Sequence, residues 1–350
     1  MTPHVSVVMP ARNGARWLGE AVESVISQSF PDWELLAIDD GSTDDTPRLL
    51  TGFAGRDSRI RVIRQDASGL VAALNRGLAA ARGSLLARLD ADDRAAPTRL
   101  QRQVQYLASH SDVGLLGSWA QEIDDQGRML GQRKPETRPD ELSRLLLRSN
   151  PLVHSSVMLR TGLARSLGGY RAAFRAAEDY DLWLRIAEVA KPANLPEMLV
   201  QYRWHSENVS KRDALRQSFS VRLAQCSALA RRETGTDPAD GLMSPPDWRA
   251  PHHDAFYADD AVIYRLLDLA DPDFVPHAGG DADFAPLASR FAELNHAERR
   301  LAALAMINHM TRAERRRARQ TRRLFLRLLS RSPGMVPRAA WSLLPAALLR

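Results

Sequence analysis

The chain has 350 residues, 44% of them hydrophobic and one a cysteine, so it can build a full hydrophobic core and is neither disordered nor held by an intramolecular disulfide framework. Its net charge of +6 comes from the tail: residues 311–350 contain eleven arginines and one acid, a net +10 that leaves −4 for residues 1–310. No signal-like segment follows Met1 and no run of about 18 apolar residues occurs, so we expect a cytoplasmic chain that does not span a membrane.

Strand and helix patterns alternate over the first 110 residues. Short apolar runs predict strands at 5–9, 34–38, 60–63 and 85–89. Apolar residues at helical spacing predict helices at 17–29, 46–53, 70–81 and 97–109. Four strand-and-helix repeats with short connections favour an α/β fold, in which a mixed, mostly parallel sheet carries helices on both faces.

The pattern changes after residue 110. A hairpin with its turn at 124–127 is predicted, followed by strands at 155–159 and 199–202 and by helices at 142–147 and 178–189. Beyond Lys211 the strand signals stop, and helical patterns lead to an arginine-rich end. We therefore expect an α/β domain over residues 1–210 and a helical extension over 211–350, with an amphipathic arginine-rich segment at its end.

Polar segments follow three of the predicted strands. They are Pro10-Ala11-Arg12-Asn13-Gly14, Asp39-Asp40-Gly41-Ser42-Thr43-Asp44 and Asp90-Ala91-Asp92-Asp93. Ligands of parallel sheets bind beyond the carboxyl ends of the strands, so these segments should line one crevice. The glycine-rich motifs of dinucleotide-binding and P-loop proteins are missing from the sequence, so a nucleotide bound here is not held by a glycine-rich phosphate loop.

The segment 90–93 places three carboxylates within four positions. Like charges in one confined site raise one another's pKa and destabilise a fold unless a cation offsets them. Mg²⁺ and Mn²⁺ take hard oxygen ligands and phosphate oxygens, so the segment predicts a divalent metal site that handles a diphosphate. The alternative is a solvated turn ahead of the helix that starts near Pro97. An EF-hand loop is excluded because Arg94 stands where an oxygen ligand is needed.

Five segments, in this order, resemble the motifs of family 2 glycosyltransferases of the GT-A fold. They are Val-Val-Met-Pro-Ala-Arg-Asn-Gly at 7–14, Ser-Gln-Ser-Phe-Pro-Asp-Trp-Glu-Leu at 27–35, Asp-Asp-Gly-Ser-Thr-Asp at 39–44, Ala-Arg-Leu-Asp-Ala-Asp-Asp at 87–93 and Ala-Glu-Asp-Tyr-Asp-Leu-Trp-Leu-Arg at 177–185. The resemblance implies an inverting glycosyltransferase of the hexosyltransferase type, with its catalytic domain over residues 1–210. Such an enzyme moves a sugar from a nucleotide-diphosphate sugar, with a UDP-sugar favoured, to a hydroxyl of a glycan or lipid-linked acceptor in surface polysaccharide synthesis.

The resemblance also assigns donor-side roles. It implies nucleotide-sugar binding by Pro10, Ala11, Arg12, Asp40, Ser42 and Asp90. Asp92 would be the direct ligand of a Mn²⁺ or Mg²⁺ ion and His205 a further metal contact; the ion would neutralise the departing diphosphate. Many relatives carry a basic residue in the helix after the third strand, but residues 69–75 hold none, which leaves Arg76 or Arg88 as substitutes.

On the acceptor side, Asp179 matches the general base of the family. The attacking hydroxyl must lose a proton, so a carboxylate has to lie opposite the leaving group. Asp179 also fits the alternative of a first-turn acid that complements a helix dipole. Glu178, His154 and Trp204 are further acceptor-side candidates, and for His154 the alternative is a hydrogen-bonded structural role.

The tail, residues 312–350, mixes arginines with leucines and Trp341. A basic helix with an apolar portion is typical of proteins that bind an anionic membrane surface, so we expect peripheral contact with the inner face of the cell membrane. The alternative is a solvated helix or one that packs on the rest of the chain.

Two other functions compete with the transferase. A haloacid-dehalogenase-like Mg²⁺-dependent phosphatase also has a strand followed by Asp-x-Asp, but on its first strand and with Thr or Val where this chain has Arg94. A noncatalytic nucleic-acid-binding protein would use the arginine-rich tail, yet it leaves the acidic segment unexplained. We therefore expect no nucleic-acid partner.

Overall fold

The computed structural model describes residues 2–205, 214–250, 255–270, 283–312 and 315–336. The chain forms two compact units, Met1–Pro245 and Pro246–Arg350. A helix after residue 210, Ala214–Thr234, belongs to the first unit. The predicted boundary at residue 210 is that of the catalytic domain. The two compact units do not show where the catalytic domain ends, so this boundary stays a prediction.

The first unit is built on a nine-stranded sheet. Its strands are β1 (Val5–Ala11), β2 (Trp33–Asp40), β3 (Ile60–Gln65), β4 (Leu85–Arg88), β5 (Arg94–Ala95), β6 (Val113–Ile123), β7 (Met129–Arg133), β8 (Met158–Arg160) and β9 (Lys191–Arg203). They are ordered β3-β2-β1-β4-β8-β6-β9-β5, and β7 pairs with β6. The pairs β3/β2, β2/β1 and β1/β4 are parallel, whereas β8 is antiparallel to both of its neighbours. The predicted α/β fold with a mixed sheet is confirmed.

Eight helices accompany this sheet in the described part of the first unit. They are α1 (Ala15–Ile26), α2 (Thr46–Arg56), α3 (Leu70–Ala80), α4 (Arg99–Ser109), α5 (Pro139–Leu146), α6 (Thr161–Ser166), α7 (Glu178–Ala187) and α8 (Ala214–Thr234). Strand β1 lies in the centre of the core and is buried on both faces. Val7 and Met9 join a cluster with Leu18 of α1, whereas Val8 faces α3, where Gly77 has no side chain to keep the helix away.

Two predicted strands differ from the observed ones. The pattern at 155–159 resolves into a 3₁₀ turn, His154–Ser156, followed by the shorter β8. Strand β9 begins at Lys191, eight residues earlier than predicted. The prediction missed its first half because Pro192 and Pro196 interrupt the strand pattern there. Its pairing with β6 jumps from Ser118↔Leu195 to Trp119↔Met198, so that Pro196 falls in an irregularity where no ladder hydrogen bond is required.

The second unit is helical over its described residues. Its helices are α9 (Ala258–Asp268), α10 (Ala285–Ser289), α11 (His296–Arg312) and α12 (Arg315–Arg331). Two hydrogen bonds join buried side chains in its core: the hydroxyl of Tyr264 donates to Glu298, and Nε1 of Trp248 donates to Asp268 at 2.7 Å. None of the described helices is long and apolar enough to cross a bilayer.

Candidate active site

The loops after β1 and β2 form one continuous wall at the carboxyl edge of the sheet. The amide of Asn13 donates to Ser42 Oγ at 3.0 Å, and Asn13 Oδ1 accepts the amide of Thr43 at 2.8 Å. Gly14 then donates to Thr46 Oγ1 at 2.9 Å. A Cβ placed on Gly14 would lie 3.6 Å from Cβ of Ala91, so the acidic loop after β4 borders the same wall. The three predicted segments therefore lie beside one another at this edge of the sheet.

The predicted nucleotide-binding residues occupy different places in this wall. Pro10 and Ala11 are the buried last residues of β1, paired with Ile38 and Asp39 of β2. Arg12 is exposed beyond the end of the strand, and Ser42 reaches the same point through its bond to Asn13. The structure brings these residues together, and their contacts with a nucleotide remain predictions.

Asp40 has a structural task that the sequence did not reveal. Its carboxylate accepts hydrogen bonds from Gln65 Nε2 at 2.8 Å, from the amide of Ser68 at 2.8 Å and from the amide of Gly69 at 2.9 Å. Gly69 has φ of 90°, a left-handed conformation that glycine adopts at no steric cost. Asp40 therefore fixes the turn from which α3 starts, and the nucleotide-sugar contact predicted for it would be made in addition to these hydrogen bonds.

The acidic loop gathers three carboxylates. Oxygens of Asp90, Asp92 and Asp93 all lie within 4.8 Å of one another. Asp90 is tied on both sides: Arg88 Nη2 donates to its Oδ1 at 2.5 Å and Ser155 Oγ to its Oδ2 at 2.7 Å. Burial is the largest single effect and opposes the charged form of Asp90, but nearby positive charge, that of Arg88 first, and the hydrogen bonds from Ser155 and Arg88 together hold the pKa of Asp90 below its usual value.

Asp92 and Asp93 face different surroundings. Asp92 is partly exposed, and its Oδ2 lies 2.7 Å from Nε2 of His205. Asp93 is buried; its Oδ1 accepts the amide of Arg203 at 2.7 Å, while its Oδ2 has no hydrogen-bond partner among the described residues. Burial, together with the charges of Asp92 and Asp90, raises the pKa of Asp93 well above its usual value.

This set of groups fits a divalent cation. The cluster offers hard carboxylate oxygens close together, as Mg²⁺ and Mn²⁺ prefer, and it includes a buried oxygen of Asp93 that nothing in the described chain satisfies. Asp90 and Asp92 are both partly exposed, but both oxygens of Asp90 already accept hydrogen bonds. Asp92, with His205 beside it, is therefore the carboxylate better placed for an ion, which is compatible with the metal roles predicted for these two residues.

His205 is held in place by packing. Its ring lies 4.4 Å from the ring of Trp17, centroid to centroid, with 32° between the planes. Trp17 Nε1 in turn donates to the carbonyl of Asp125 at 3.0 Å, in the turn between β6 and β7. Trp17 of α1 thus packs on His205 and is itself bound to the turn between β6 and β7, so the orientation of His205 toward Asp92 depends on both elements.

A second acidic pair lies at the start of α7. Asp179 Oδ1 accepts the amide of Tyr180 at 2.7 Å, and its Oδ2 accepts Nδ2 of Asn150 at 2.9 Å. Burial and the adjacent charge of Asp179 raise the pKa of Glu178 to about 7, and burial also raises the pKa of Asp179. Asp181, two residues further along, instead binds Arg171 and Arg185 and is structural.

Arg88 connects the two acidic groups. It is 1% exposed, and its charge acts on Asp90 as well as on Glu178 and Asp179. Its Nε and Nη1 atoms have no hydrogen-bond partner among the described residues. The sequence offered Arg88 as a substitute for a diphosphate contact. In the structure it is buried and ion-paired with Asp90, and a diphosphate contact from it stays a prediction.

The two remaining acceptor-side candidates are tied to the protein. His154 Nε2 lies 3.3 Å from the hydroxyl of Tyr170, and burial, then the charge of Arg88, lowers the pKa of His154 well below its usual value. Both effects favour the neutral form of the His154 imidazole. Trp204 Nε1 donates to Glu122 Oε1 at 3.0 Å, and the guanidinium of Arg133 lies 5.1 Å from its ring. Both acceptor-side roles remain predictions.

Sequence reasoning missed the residues that hold the carboxylates. Asn150 and Ser155 belong to the segment Asn-Pro-Leu-Val-His-Ser-Ser at 150–156, which drew attention only through His154. Ser155 is fully buried, whereas Asn150 is partly exposed. The sequence around each residue gives no sign of the carboxylate that it binds. Their partners lie 65 and 29 positions away in the chain, so only the fold reveals them.

The mixed sheet with helices on both faces and an acidic loop beyond β4 has the architecture of the GT-A fold. Residues 6–166 match the family model described as Glycosyl transferase family 2. The chain belongs to this family. The enzyme class is thereby confirmed, and the phosphatase and nucleic-acid-binding alternatives are set aside.

Individual relatives agree. The chain is 37% identical over 215 residues to the putative glycosyltransferase EpsE of Bacillus subtilis, covering 60% of this chain and 76% of that protein. It is 32% identical over 197 residues to the amylovoran biosynthesis glycosyltransferase AmsE of Erwinia amylovora, covering 56% and 73%. The crystal structure of S. aureus TarS in complex with UDP-GlcNAc has a TM-score of 0.56 at 15% identity, covering 95% of this chain and 88% of that one, and shows the same fold.

Metal binding should be visible in thermal stability. We expect Mn²⁺ to raise the melting temperature of the wild-type protein, because a cation offsets the repulsion among Asp90, Asp92 and Asp93. Asp92→Asn should remove most of this rise. In EDTA the same variant should melt at or above the wild-type temperature, since one of the repelling charges is gone. Differential scanning fluorimetry measures both effects.

Asp45→Asn is the matched control. Asp45 is an exposed acid paired with Arg48, so its substitution should leave the Mn²⁺ response unchanged. A full Mn²⁺ response in Asp92→Asn would show that Asp92 is not a metal ligand.

Proposed function

We propose that the chain is an inverting, metal-dependent glycosyltransferase that moves a sugar from a UDP-sugar to a hydroxyl of a glycan or lipid-linked acceptor. One observation carries the proposal: Ser155 and Asn150, which lie five residues apart, donate hydrogen bonds to Asp90 beside the loops after β1 and β2 and to Asp179 at the start of α7. A donor-side acid and a base candidate are therefore bound by the same short segment of the chain.

On the donor side, Asp92 and His205 would hold a Mn²⁺ or Mg²⁺ ion with the neighbouring carboxylates. Bound there, the ion would neutralise the negative charge that develops on the departing diphosphate. Asp90 would contact the ribose, and Pro10, Ala11, Arg12, Asp40 and Ser42 would line the nucleotide. UDP-GlcNAc in the TarS crystals makes UDP-sugars the first donors to test, and a panel of UDP-, GDP- and dTDP-sugars ranked by thermal stabilisation selects the working donor.

On the acceptor side, Asp179 would act as the general base. The acceptor oxygen forms a bond to the anomeric carbon while the bond from that carbon to the diphosphate oxygen breaks, and the hydroxyl proton passes to Asp179. A single displacement of this kind inverts the configuration of the anomeric carbon. Raised pKa values suit the role, because a base works best with a pKa near the working pH. Glu178, His154 and Trp204 would border the acceptor.

The base assignment makes a sharp kinetic prediction. Asp179→Asn should lower the rate of UDP release by about 10²- to 10⁴-fold, because the proton acceptor is lost. Donor-induced thermal stabilisation should persist, since the donor side is intact. In the wild type, activity should fall as the pH is lowered and Asp179 takes up a proton. Asp140→Asn, an acid at the start of α5, is the control and should keep normal turnover. Normal turnover in Asp179→Asn would refute the assignment.

A surface polysaccharide is the product class we favour, since AmsE is named for amylovoran biosynthesis. A lipid-linked acceptor would require the enzyme to work at a cytoplasmic membrane surface. Part of the tail supports this: along α12, Arg323, Arg327 and Arg331 are exposed at intervals of four residues, whereas Phe325 and Leu328 are buried. The interval of four places these arginines on one side of the helix. Trp341 and the leucines beyond it lie outside the described residues.

Replacing Arg323, Arg327 and Arg331 together by Gln tests the membrane proposal. Each basic residue near an anionic surface contributes about 1 kcal/mol, so we expect partitioning onto phosphatidylglycerol-containing vesicles to weaken about 100-fold. Vesicle co-sedimentation measures it. Replacing Arg48, Arg102 and Arg144 by Gln removes the same charge from exposed ion pairs elsewhere and should have little effect. Equal losses in the two triple variants would count against a specific basic face.

A further inference from the structure

The segment 150–156 touches both carboxylates that the reaction needs. At one end, Asn150 Nδ2 donates to Asp179 Oδ2 at 2.9 Å. Toward the other end, Ser155 Oγ donates to Asp90 Oδ2 at 2.7 Å. One short segment thus reaches the candidate base and the donor-side acid, which lie in different parts of the sequence.

The amide of Asn150 has a defined orientation. The backbone N–H of Leu152 donates to Asn150 Oδ1 at 3.2 Å, so the other amide atom, Nδ2, is the one directed at Asp179. The second oxygen of Asp179 accepts the backbone N–H of Tyr180. Two donors therefore fix the plane of the Asp179 carboxylate, and both favour its charged form.

Ser155 fixes Asp90 in a similar way. Its buried hydroxyl accepts the backbone N–H of Asp90 at 3.1 Å and donates to the carboxylate of the same residue. Arg88 Nη2 binds the other carboxylate oxygen. Because each oxygen of Asp90 has a buried partner, the side chain is held in one orientation.

The segment between these contacts is itself anchored. Ser156 Oγ donates to the carbonyl of Val153 at 2.8 Å and accepts the backbone N–H of Ser118 in β6 at 3.1 Å. The carbonyl of Ser156 accepts Gln103 Nε2 of α4 at 2.7 Å. Leu152 and Val153 are buried. The two ends cannot shift independently without breaking these bonds.

We propose that Asn150 and Ser155 are positioning residues, and that the segment 150–156 sets the placement of the base relative to the donor-side carboxylate. The inference rests on the proposed function, since it presumes that Asp179 is the base. In-line displacement needs the base and the leaving group on opposite sides of the anomeric carbon, and small errors in such geometry are costly. Asn150 serves proton removal, whereas Ser155 serves donor binding.

The experiment uses the full chain with Mn²⁺ and the UDP-sugar selected by the stabilisation panel, and follows UDP release against pH and donor concentration. Asn150→Asp keeps the acceptor for the Leu152 N–H and replaces the donor to Asp179 by an oxygen. In the profile of activity against pH, the fall at low pH (the acid limb) should move about one unit to higher pH, because Asp179 loses a donor that favours its charged form. The donor KM should stay unchanged. Ser155→Ala should raise donor KM about tenfold or more, with the acid limb unchanged.

Other groups around Asp179 have to be held constant. They are Glu178 beside it, Arg88 from β4, and the hydroxyls of Tyr170 and Tyr180, whose pKa values are raised by burial and, less strongly, by the charge of Asp179. All of them are retained in both variants. Ser143→Ala, which removes a hydroxyl from α5, is the matched control and should change neither quantity. Melting temperatures identify a variant that is merely unfolded, and Asn150→Ser, which restores a short donor, should move the limb less than Asn150→Asp.

The outcomes separate this inference from the proposed function. The inference is supported if Asn150→Asp moves only the acid limb and Ser155→Ala raises only the donor KM. If the acid limb of Asn150→Asp stays in place while Asp179→Asn is inactive, the positioning role is wrong and the base assignment stands. If Asp179→Asn is active, the base assignment itself fails. Equal changes of both quantities in both variants would indicate general loosening and overturn the inference.

Discussion

The ion pair between Arg88 and Asp90 is the interaction on which the site depends. A buried guanidinium is costly unless a negative charge lies close to it, and Asp90 supplies that charge through a 2.5 Å contact. The pair lies at the end of β4, in the middle of the sheet, where burial would otherwise protonate a carboxylate. The charge of Arg88 also favours the charged forms of Glu178 and Asp179, although burial has the larger effect and raises the pKa of both. The ion pair thus lies between the two acidic groups of the site without setting the ionisation of the second.

A second arginine supports this arrangement. Arg99 Nη2 donates to the carbonyl of Arg88 at 2.7 Å and to the carbonyl of Val157 at 3.2 Å. Burial, then the nearby charge of Arg88, lowers the pKa of Arg99 to about 9. The positive charges of the two buried arginines repel one another. The hydrogen bonds of Arg99 to the carbonyls of Arg88 and Val157 nevertheless join β4 to the chain that follows Ser155.

The sequence predicted the parts whose signals are local. Short apolar runs indicated β1 to β4, and the acidic segment at 90–93 indicated a shared crevice with the loops after β1 and β2. Strand β9 was placed too late because two prolines interrupt its pattern. The contacts of Asn150 and Ser155 had no local signal, since each joins residues far apart in the chain. The turn-fixing role of Asp40 was missed for the same reason, because its amide partners lie nearly thirty positions away.

The central claim is that one displacement, with Asp179 as base, transfers the sugar with inversion. The most direct measurement is the anomeric configuration of the first product, followed by proton NMR of the transfer reaction with an α-linked nucleotide-sugar donor. We expect a β-linked product to appear first, from the wild type and not from Asp179→Asn. An α-linked first product would contradict the claim, because retention requires a different sequence of bond-forming steps.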